Sequence, residues 1–192
     1  MAEQDSLRFK VAVIATDGVE ESELLRPIET LKNKGAQVDL ISPKSGDLQT
    51  FRHLRPSSRV PVDRALEGTS FMEYDALVLP GGALSADALR SDPRVLAFVR
   101  EMHGAGRPIA AICHAPWILI SAGLVDDAIL TSYHSIRDDV RNAGGNWVDQ
   151  EVVVFRNWIT SREPKDLPAF NRELLKMLSQ LAPSVVRIAE SA

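Results

Sequence analysis

The only cysteine of the chain lies where a predicted buried strand passes into a predicted helix. Residues 108–112 form a short apolar run typical of a buried parallel strand, and residues 115–122 then follow helical spacing up to Gly123. A sharp strand-to-helix turn lifts a side chain off the carboxyl edge of a sheet and places it over a helix N-terminus. Amides at that position favour negative charge, so we expect Cys113 to be a nucleophile biased toward its thiolate.

A thiol nucleophile needs a proton acceptor, an orienting carboxyl group and amide donors for a developing oxyanion. His114 reaches the thiol of Cys113 only if its ring folds back, whereas His134 lies on a later loop. Glu23 would be a protonated donor beside a thiolate, and the amides of Gly82 and His114 are candidate oxyanion donors. Each side chain also has an ordinary interpretation: an inert core cysteine, imidazoles without a partner, and a solvated acid at a helix start.

Alternating apolar runs and amphipathic segments would position these residues. The predicted strands are residues 9–15, 36–42, 75–79, 108–112, 129–131, 151–155 and 158–161. The predicted helices are residues 20–34, 83–89, 93–104, 115–122, 135–143 and 166–181. Pro27 predicts a kink or a shifted start in the first helix. Prolines in residues 43–67 indicate a small hairpin or flap, with residues 48–53 as an edge strand.

This alternation predicts an α/β fold with an open, mostly parallel sheet covered by helices on both faces. In such sheets, ligands bind beyond the carboxyl ends of the strands. Glu23, Gly82 and Cys113 each follow a different predicted strand. The sequence therefore predicts that three distant segments meet over one crevice.

The bulk composition limits the class of protein. With 192 residues we expect a single domain over residues 1–192, in which residues 183–192 form a loosely held tail. A net charge of −4 argues against nucleic acid as a partner, and no apolar run approaches the length of a membrane span. We find no zinc-ligand spacing and no glycine-rich phosphate loop, so we expect neither a metal nor a cofactor. The acidic, polar start is unlike a signal peptide, which favours a cytoplasmic protein.

Residues 111–116 (AICHAP), preceded by residues 79–82 (LPGG), resemble the ThiJ/PfpI family of the class I glutamine-amidotransferase-like superfamily. Further matching segments are residues 17–23, 75–82, 151–154, 160–162 and 166–170. The resemblance covers nearly the whole chain and is strongest to the intracellular protease I and general stress protein branch. It implies a flavodoxin-like three-layer α/β sandwich that forms homodimers or larger assemblies. It also implies Cys113 as the nucleophile and Glu23 as its hydrogen-bonding carboxylate.

The branches of this family differ in the third partner of the thiol. In the protease-like branch, the histidine beside the cysteine pairs with an acid of the neighbouring subunit, a position that matches Asp87 when a one-residue insertion is allowed. In the branch containing the parkinsonism-associated protein, a later histidine approaches the thiol, and it matches His134. We favour His114 with Asp87 supplied across a homodimer interface, because the overall match is to the protease-like branch. Ala115 departs from the glycine usual there, and its methyl group would crowd the elbow or narrow the pocket.

Two functions that would share one thiolate stay open, the first implied by the resemblance and the second by the chemistry of a reactive thiol. The first is a cysteine hydrolase, acting as peptidase, cofactor-free glyoxalase or deglycase on small carbonyl adducts or peptides. The alternative is a redox-sensing or protective stress protein in which Cys113 is oxidised to the sulfenic or sulfinic acid. Glutamine amidotransfer is disfavoured, because it requires a histidine and a glutamate near the C-terminus and no histidine follows His134.

Overall fold

The computed structural model describes residues 9–189, with side chains described as far as residue 181. The strands are β1 (Lys10–Ile14), β2 (Gln37–Ser42), β3 (Asp47–Arg52), β4 (Arg55–Pro61), β5 (Arg64–Ala65), β6 (Ala76–Leu79), β7 (Ile109–Ile112), β8 (Ile129–Leu130), β9 (Asn146–Trp147), β10 (Val152–Phe155) and β11 (Trp158–Ser161). The helices are α1 (Glu21–Asn33), α2 (Ala83–Arg90), α3 (Pro93–Gly104), α4 (Pro116–Ser121), α5 (Arg137–Asn142) and α6 (Leu167–Ala189).

The main sheet in this part of the chain has seven strands in the order β10-β11-β7-β6-β1-β2-β5. Its neighbouring strands run parallel except at the β10–β11 hairpin. Every residue of β6 and β7 is buried, which explains why both strands are continuous apolar runs rather than alternating ones. The predicted mostly parallel α/β fold, with helices on both faces, is confirmed.

Successive residues of the central strands supply two separate hydrophobic cores. Leu77 and Leu79 of β6 join one cluster, whereas Ala76 and Val78 join the other. This follows from the alternation of side chains along a strand, since each face of the sheet needs its own apolar cover. Parallel pairing places β1, β6 and β7 side by side, with their carboxyl ends at one edge of the sheet.

The segment after β2 differs from the prediction in its pairing. The hairpin is present, but β3 pairs only with β4 in a separate two-stranded ribbon, and β5 is the edge strand of the main sheet. Backbone hydrogen bonds dock β3 on the loop after β1, from Gly18 N to the Gln49 carbonyl (2.9 Å) and from Phe51 N to the Val19 carbonyl (2.8 Å). The edge strand β5 escaped prediction because two residues carry no periodicity.

The first helix lies within its predicted range, whereas the backbone of the last helix extends beyond its predicted end. α1 begins at Glu21, and Pro27 lies inside it as a buried residue instead of marking a shifted start. The backbone of α6 is described to Ala189, and residues 190–192 lie outside the described residues, so the predicted loose tail stays a prediction. Across residues 9–189, we find no helix of the length and apolarity that crossing a membrane would require.

Candidate active site

Cys113 occupies a strained turn between β7 and α4. Its φ of 63° lies in the left-handed region, which costs a non-glycine residue about 1–2 kcal/mol. Two backbone hydrogen bonds hold it there, from Cys113 N to the Ser161 carbonyl (3.0 Å) and from Tyr133 N to the Cys113 carbonyl (2.8 Å). Strain of this kind persists only where neighbouring segments fix it, and it is frequent at functional sites.

Ala115, two residues after Cys113, packs on the opposite face of the sheet from the thiol. Ala115 is fully buried in the hydrophobic cluster that contains Ile118 and Leu119, whereas Cys113 belongs to the cluster on the other face of the sheet. The effect of this methyl group on the pocket stays a prediction.

Glu23 lies beside the sulfur as a fully buried carboxyl group. Its Oε2 accepts a hydrogen bond from Gly81 N at 3.0 Å, and Oε1 has no hydrogen-bond partner among the described residues. Burial, with the nearby charge of Glu20, raises the pKa of Glu23 to about 8, although its interaction with the Cys113 thiol opposes the rise. At neutral pH this carboxyl group is therefore mostly protonated, as the sequence analysis expects.

The two glycines after β6 bring the three segments together. A Cβ on Gly81 would lie 2.6 Å from Cys113 Cβ and 2.8 Å from the Ile112 carbonyl oxygen, so only glycine permits this approach. Gly82 has a φ of 90°, which also favours glycine. The backbone amides of Gly82 and His114 both face the sulfur and favour its charged form. The predicted meeting of three distant segments is confirmed.

The resting form of Cys113 differs from the expectation. The side chain is only 7% exposed, and burial, together with the Glu23 carboxyl group, raises the pKa of the thiol well above its usual range. The Gly82 and His114 amides act in the opposite direction but do not outweigh desolvation. The expected bias toward the thiolate is therefore wrong for the chain at rest, because the sequence indicated the amides but not the depth of burial.

His114 folds back onto the thiol. Its Nδ1 lies 3.1 Å from Cys113 Sγ, and its Nε2 lies 3.4 Å from Ser135 Oγ. The ring is held between two aromatic side chains, with centroid distances of 4.8 Å to Tyr133 and 5.3 Å to Trp117. Burial, with a contribution from His134, lowers the pKa of His114. The site therefore pairs a neutral imidazole with a neutral thiol.

The two other predicted residues lie farther out. His134 is exposed and packs on Tyr133 at a centroid distance of 4.4 Å, and no hydrogen bond joins it to Cys113 in the described part of the chain. Asp87 is exposed on α2, where its backbone carbonyl accepts a hydrogen bond from Ser91 Oγ (3.2 Å). Its pairing with His114 across an interface stays a prediction.

The sequence did not point to three residues of this site: Trp117, Tyr133 and Ser135. Gly81 lies in the LPGG motif of residues 79–82, but only the structure shows that its amide donates to Glu23. Ser135 follows the predicted site residue His134 in the sequence, which is the one signal that a hydroxyl lies near an imidazole. The packing of Tyr133 and Trp117 against His114 has no sequence signal, because it depends on how α4 meets the loop after β8.

The fold and site define a flavodoxin-like α/β protein with a cysteine at the turn after a central strand. The chain belongs to the DJ-1/PfpI family, whose family model matches residues 9–177. It is 43% identical over 170 residues to a deglycase of Thermococcus kodakarensis, an alignment that covers 88% of this chain and 99% of that protein. It is 39% identical over 172 residues to general stress protein 18 of Bacillus subtilis, covering 89% and 98% of the two chains.

A crystal structure gives a matching fold. This is a two-domain protein from Anabaena variabilis with a DJ-1/ThiJ/PfpI-like and a ferritin-like domain, and it superposes with a TM-score of 0.83 at 32% identity. The match covers 90% of this chain and 48% of that one, so this chain spans about half the length of the two-domain protein. In residues 9–189, no group of three or more His, Cys, Asp or Glu side chains is arranged to hold a metal ion.

Proposed function

We propose that this protein is a stress-related, cysteine-dependent hydrolase of the deglycase type, acting on small carbonyl adducts or peptides. The observation that carries the proposal is the 3.1 Å approach of His114 Nδ1 to Cys113 Sγ at the strained turn. Relatives named as a deglycase and as a general stress protein support the same class of function.

The proposed first step couples proton transfer to attack. As Cys113 Sγ bonds to the carbonyl carbon of the substrate, the thiol proton passes to His114 Nδ1 and the carbonyl π pair moves onto oxygen. The raised pKa of Cys113 and the lowered pKa of His114 mean that the proton moves in this step rather than beforehand. The amides of Gly82 and His114 are the proposed donors for the negative charge that develops.

Glu23 supports this step as a neutral donor. Because its pKa is raised to about 8, the carboxyl group adds little negative charge beside the sulfur at neutral pH. An ionised glutamate at this distance would oppose the charge that develops on the sulfur. We therefore assign Glu23 to holding and solvating the sulfur, not to accepting its proton.

A second copy of the chain is the proposed source of Asp87. Asp87 and Leu84 are both exposed on α2, and Leu84 is 62% exposed, which leaves this helix face free to join an interface. Within one chain Asp87 does not reach His114, so its role depends on a homodimer or larger assembly. Cross-linking of Asp87→Cys chains at this face would support the arrangement.

The proposal is tested with Cys113→Ala. We expect loss of at least a hundredfold in the turnover of a methylglyoxal-modified amine, with an unchanged urea unfolding midpoint, because the nucleophile has no substitute. The matched control is Ser45→Ala, which changes an exposed residue in the turn before β3. Unchanged turnover in Cys113→Ala would reject the enzyme reading.

One observation favours a second candidate, a redox-protective role. The mostly protonated Glu23 carboxyl group lies beside the thiol, where it can donate a hydrogen bond to a sulfinate oxygen. Mass spectrometry after mild peroxide treatment distinguishes this role. Oxygen addition at Cys113 before any of the four methionines supports it, and oxidation of a methionine first rejects it.

A further inference from the structure

His114 uses one ring nitrogen for the thiol and turns the other toward a serine. Nδ1 faces Cys113 Sγ at 3.1 Å, whereas Nε2 faces Ser135 Oγ at 3.4 Å. We propose that Ser135 is a positioning residue that accepts a hydrogen bond from His114 Nε2–H and thereby keeps Nδ1 free for the thiol proton. Its consequence for turnover rests on the proposed function, but its effect on the imidazole does not.

The tautomer of His114 decides whether it can act as a base. A neutral imidazole carries a single N–H, and the other nitrogen holds the lone pair. For Nδ1 to accept the proton of Cys113, that N–H must be on Nε2. Which nitrogen is protonated is set by the hydrogen bond that the other one makes, so an acceptor at Nε2 selects the competent form. Among the described residues, the Ser135 hydroxyl is the group within hydrogen-bond distance of this nitrogen.

Ser135 lies on a turn that is fixed to the elbow itself. The turn (His134–Ile136) is preceded by Tyr133, whose amide donates to the Cys113 carbonyl at 2.8 Å. The next bond, from Ile136 N to the Tyr133 carbonyl (3.1 Å), closes the turn over the buried Ile136 side chain. These two bonds therefore hold the backbone around Ser135 close to Cys113 and His114.

A second connection holds the same turn from the other side. Trp117 packs against the His114 ring in a tilted arrangement, and its Nε1–H donates to Asp139 Oδ2 of α5 at 2.7 Å. Because α5 follows directly on the turn that carries Ser135, this bond ties the serine to the helix behind the cysteine. The His114 ring and the turn that carries Ser135 are thus held by connected contacts.

The resemblance implies a different partner for His114, which is Asp87 of a second copy. That carboxylate would also have to bind Nε2 of the ring. Nδ1 is already turned to Cys113, so Nε2 is the site left for any orienting group. Ser135 occupies it from within one chain, whereas Asp87 is exposed on α2. The two assignments therefore make opposite predictions for single variants.

Several charged or titratable groups face His114 besides the serine, so a pH profile alone would not isolate this contact. They are the Cys113 thiol, the Tyr133 phenol, the His134 imidazole and, through contact with Trp117, the side chains of Asp139 and Arg90. Nitrogen NMR of the ring reads the tautomer directly and separates Ser135 from these groups.

The experiment records the 15N shifts of the His114 ring in the full chain and in Ser135→Ala, Ser135→Thr and Asp87→Asn. We expect an Nε2–H ring in the unchanged protein and in Ser135→Thr, and a shift toward the Nδ1–H form in Ser135→Ala. Since one hydrogen bond is lost, kcat should fall about three- to tenfold in Ser135→Ala with KM unchanged. The acid limb of the rate should also move to lower pH, because the imidazolium loses an acceptor.

The control is again Ser45→Ala, which should leave the spectrum and kcat unchanged. An Nδ1–H ring in the unchanged protein, or an unaltered tautomer in Ser135→Ala, overturns the inference. A tautomer shift in Asp87→Asn but not in Ser135→Ala overturns it in favour of the partner carboxylate. An active Cys113→Ala variant, in contrast, rejects the proposed function and leaves the tautomer result standing.

Discussion

Two glutamates in the first turn of α1 are both buried, yet at neutral pH one is ionised and the other is mostly protonated. Glu21 is 6% exposed and Glu23 is not exposed at all. Hydrogen bonds from the Ser57 and Ser58 side chains hold the pKa of Glu21 far below its ordinary value, whereas burial raises the pKa of Glu23 to about 8. Burial alone therefore does not decide the charge of a carboxyl group in this protein.

The difference lies in the number of donors around each group. Glu21 accepts bonds from Thr50 Oγ1 (2.9 Å), Arg52 Nε (2.8 Å), Ser58 N (3.0 Å) and Ser58 Oγ (2.7 Å). Glu23 accepts one bond, from Gly81 N (3.0 Å). A buried carboxylate is stable where several donors replace its hydration, and it takes up a proton where they do not.

The two glutamates have different roles: Glu21 holds a structural segment in place, whereas Glu23 lies at the candidate site. The bonds to Glu21 fasten the β3–β4 hairpin to the start of α1, so this glutamate stabilises the segment that carries the site. Glu23 is a mostly protonated carboxyl group beside Cys113, and its Oε1 has no hydrogen-bond partner among the described residues. Unpaired polar atoms cost stability, and in this molecule that cost falls at the candidate site.

The largest expected effect is on stability in Glu21→Gln. The amide NH2 would face hydroxyl and guanidinium donors, so the free energy of unfolding should fall by about 3 kcal/mol. The same change in Glu23→Gln should cost less than about 1 kcal/mol, because the amide oxygen still accepts from Gly81. Urea unfolding at pH 7 measures both, with Glu29→Gln on the exposed side of α1 as the control. Equal losses of unfolding free energy in Glu21→Gln and Glu23→Gln would contradict the difference in charge state between the two glutamates.

The next effect is a pH dependence of opposite sign at the two positions. The pKa of Glu23 is about 8 in the folded chain against an ordinary value of 4.5, so between those values the folded chain keeps a proton that the unfolded chain loses. Its contribution to the free energy of unfolding therefore declines as pH rises, by on the order of 2 kcal/mol from pH 5 to pH 7. Glu21 has a lowered pKa, so its contribution is present at neutral pH and is lost on acidification below its ordinary value.

Urea unfolding across pH 3 to 8 measures this dependence. Glu23→Gln should flatten the decline above pH 5, and Glu21→Gln should weaken the loss at low pH. The same slope above pH 5 in Glu23→Gln and in the unchanged protein would show that Glu23 does not hold a proton in the folded state.

The smallest effect tests one donor of the Glu21 cluster. Thr50→Val keeps the shape of a fully buried side chain and removes a hydroxyl that donates to Glu21 Oε2. We expect a loss of about 1 kcal/mol in the free energy of unfolding and no change in turnover, because the site of Cys113 is untouched. Thr50→Ser is the control that retains the hydroxyl. A change in turnover in Thr50→Val would mean that the hairpin anchor and the site are coupled.

Much of the fold was predictable because its signals are local. The apolar runs at β1, β6 and β7 predict buried strands, and their alternation with helices predicts the parallel sheet that the structure has. The pairing of β3 was not predictable, since it depends on docking against residues 17–19 rather than on its own pattern. Strands of two residues, such as β5, give no periodicity to detect.

The amino-acid sequence by itself determined the order of strands and helices, and it brought Cys113, Glu23 and the glycines to one edge of the sheet. It did so because periodicity and turn residues act over a few positions. Only the tertiary structure decided the charge states. Glu21 and Glu23 have similar sequence neighbours, and the thiol of Cys113 keeps its proton because burial outweighs two amides. Desolvation and hydrogen-bond donors come from residues far along the chain, so no local pattern contains them.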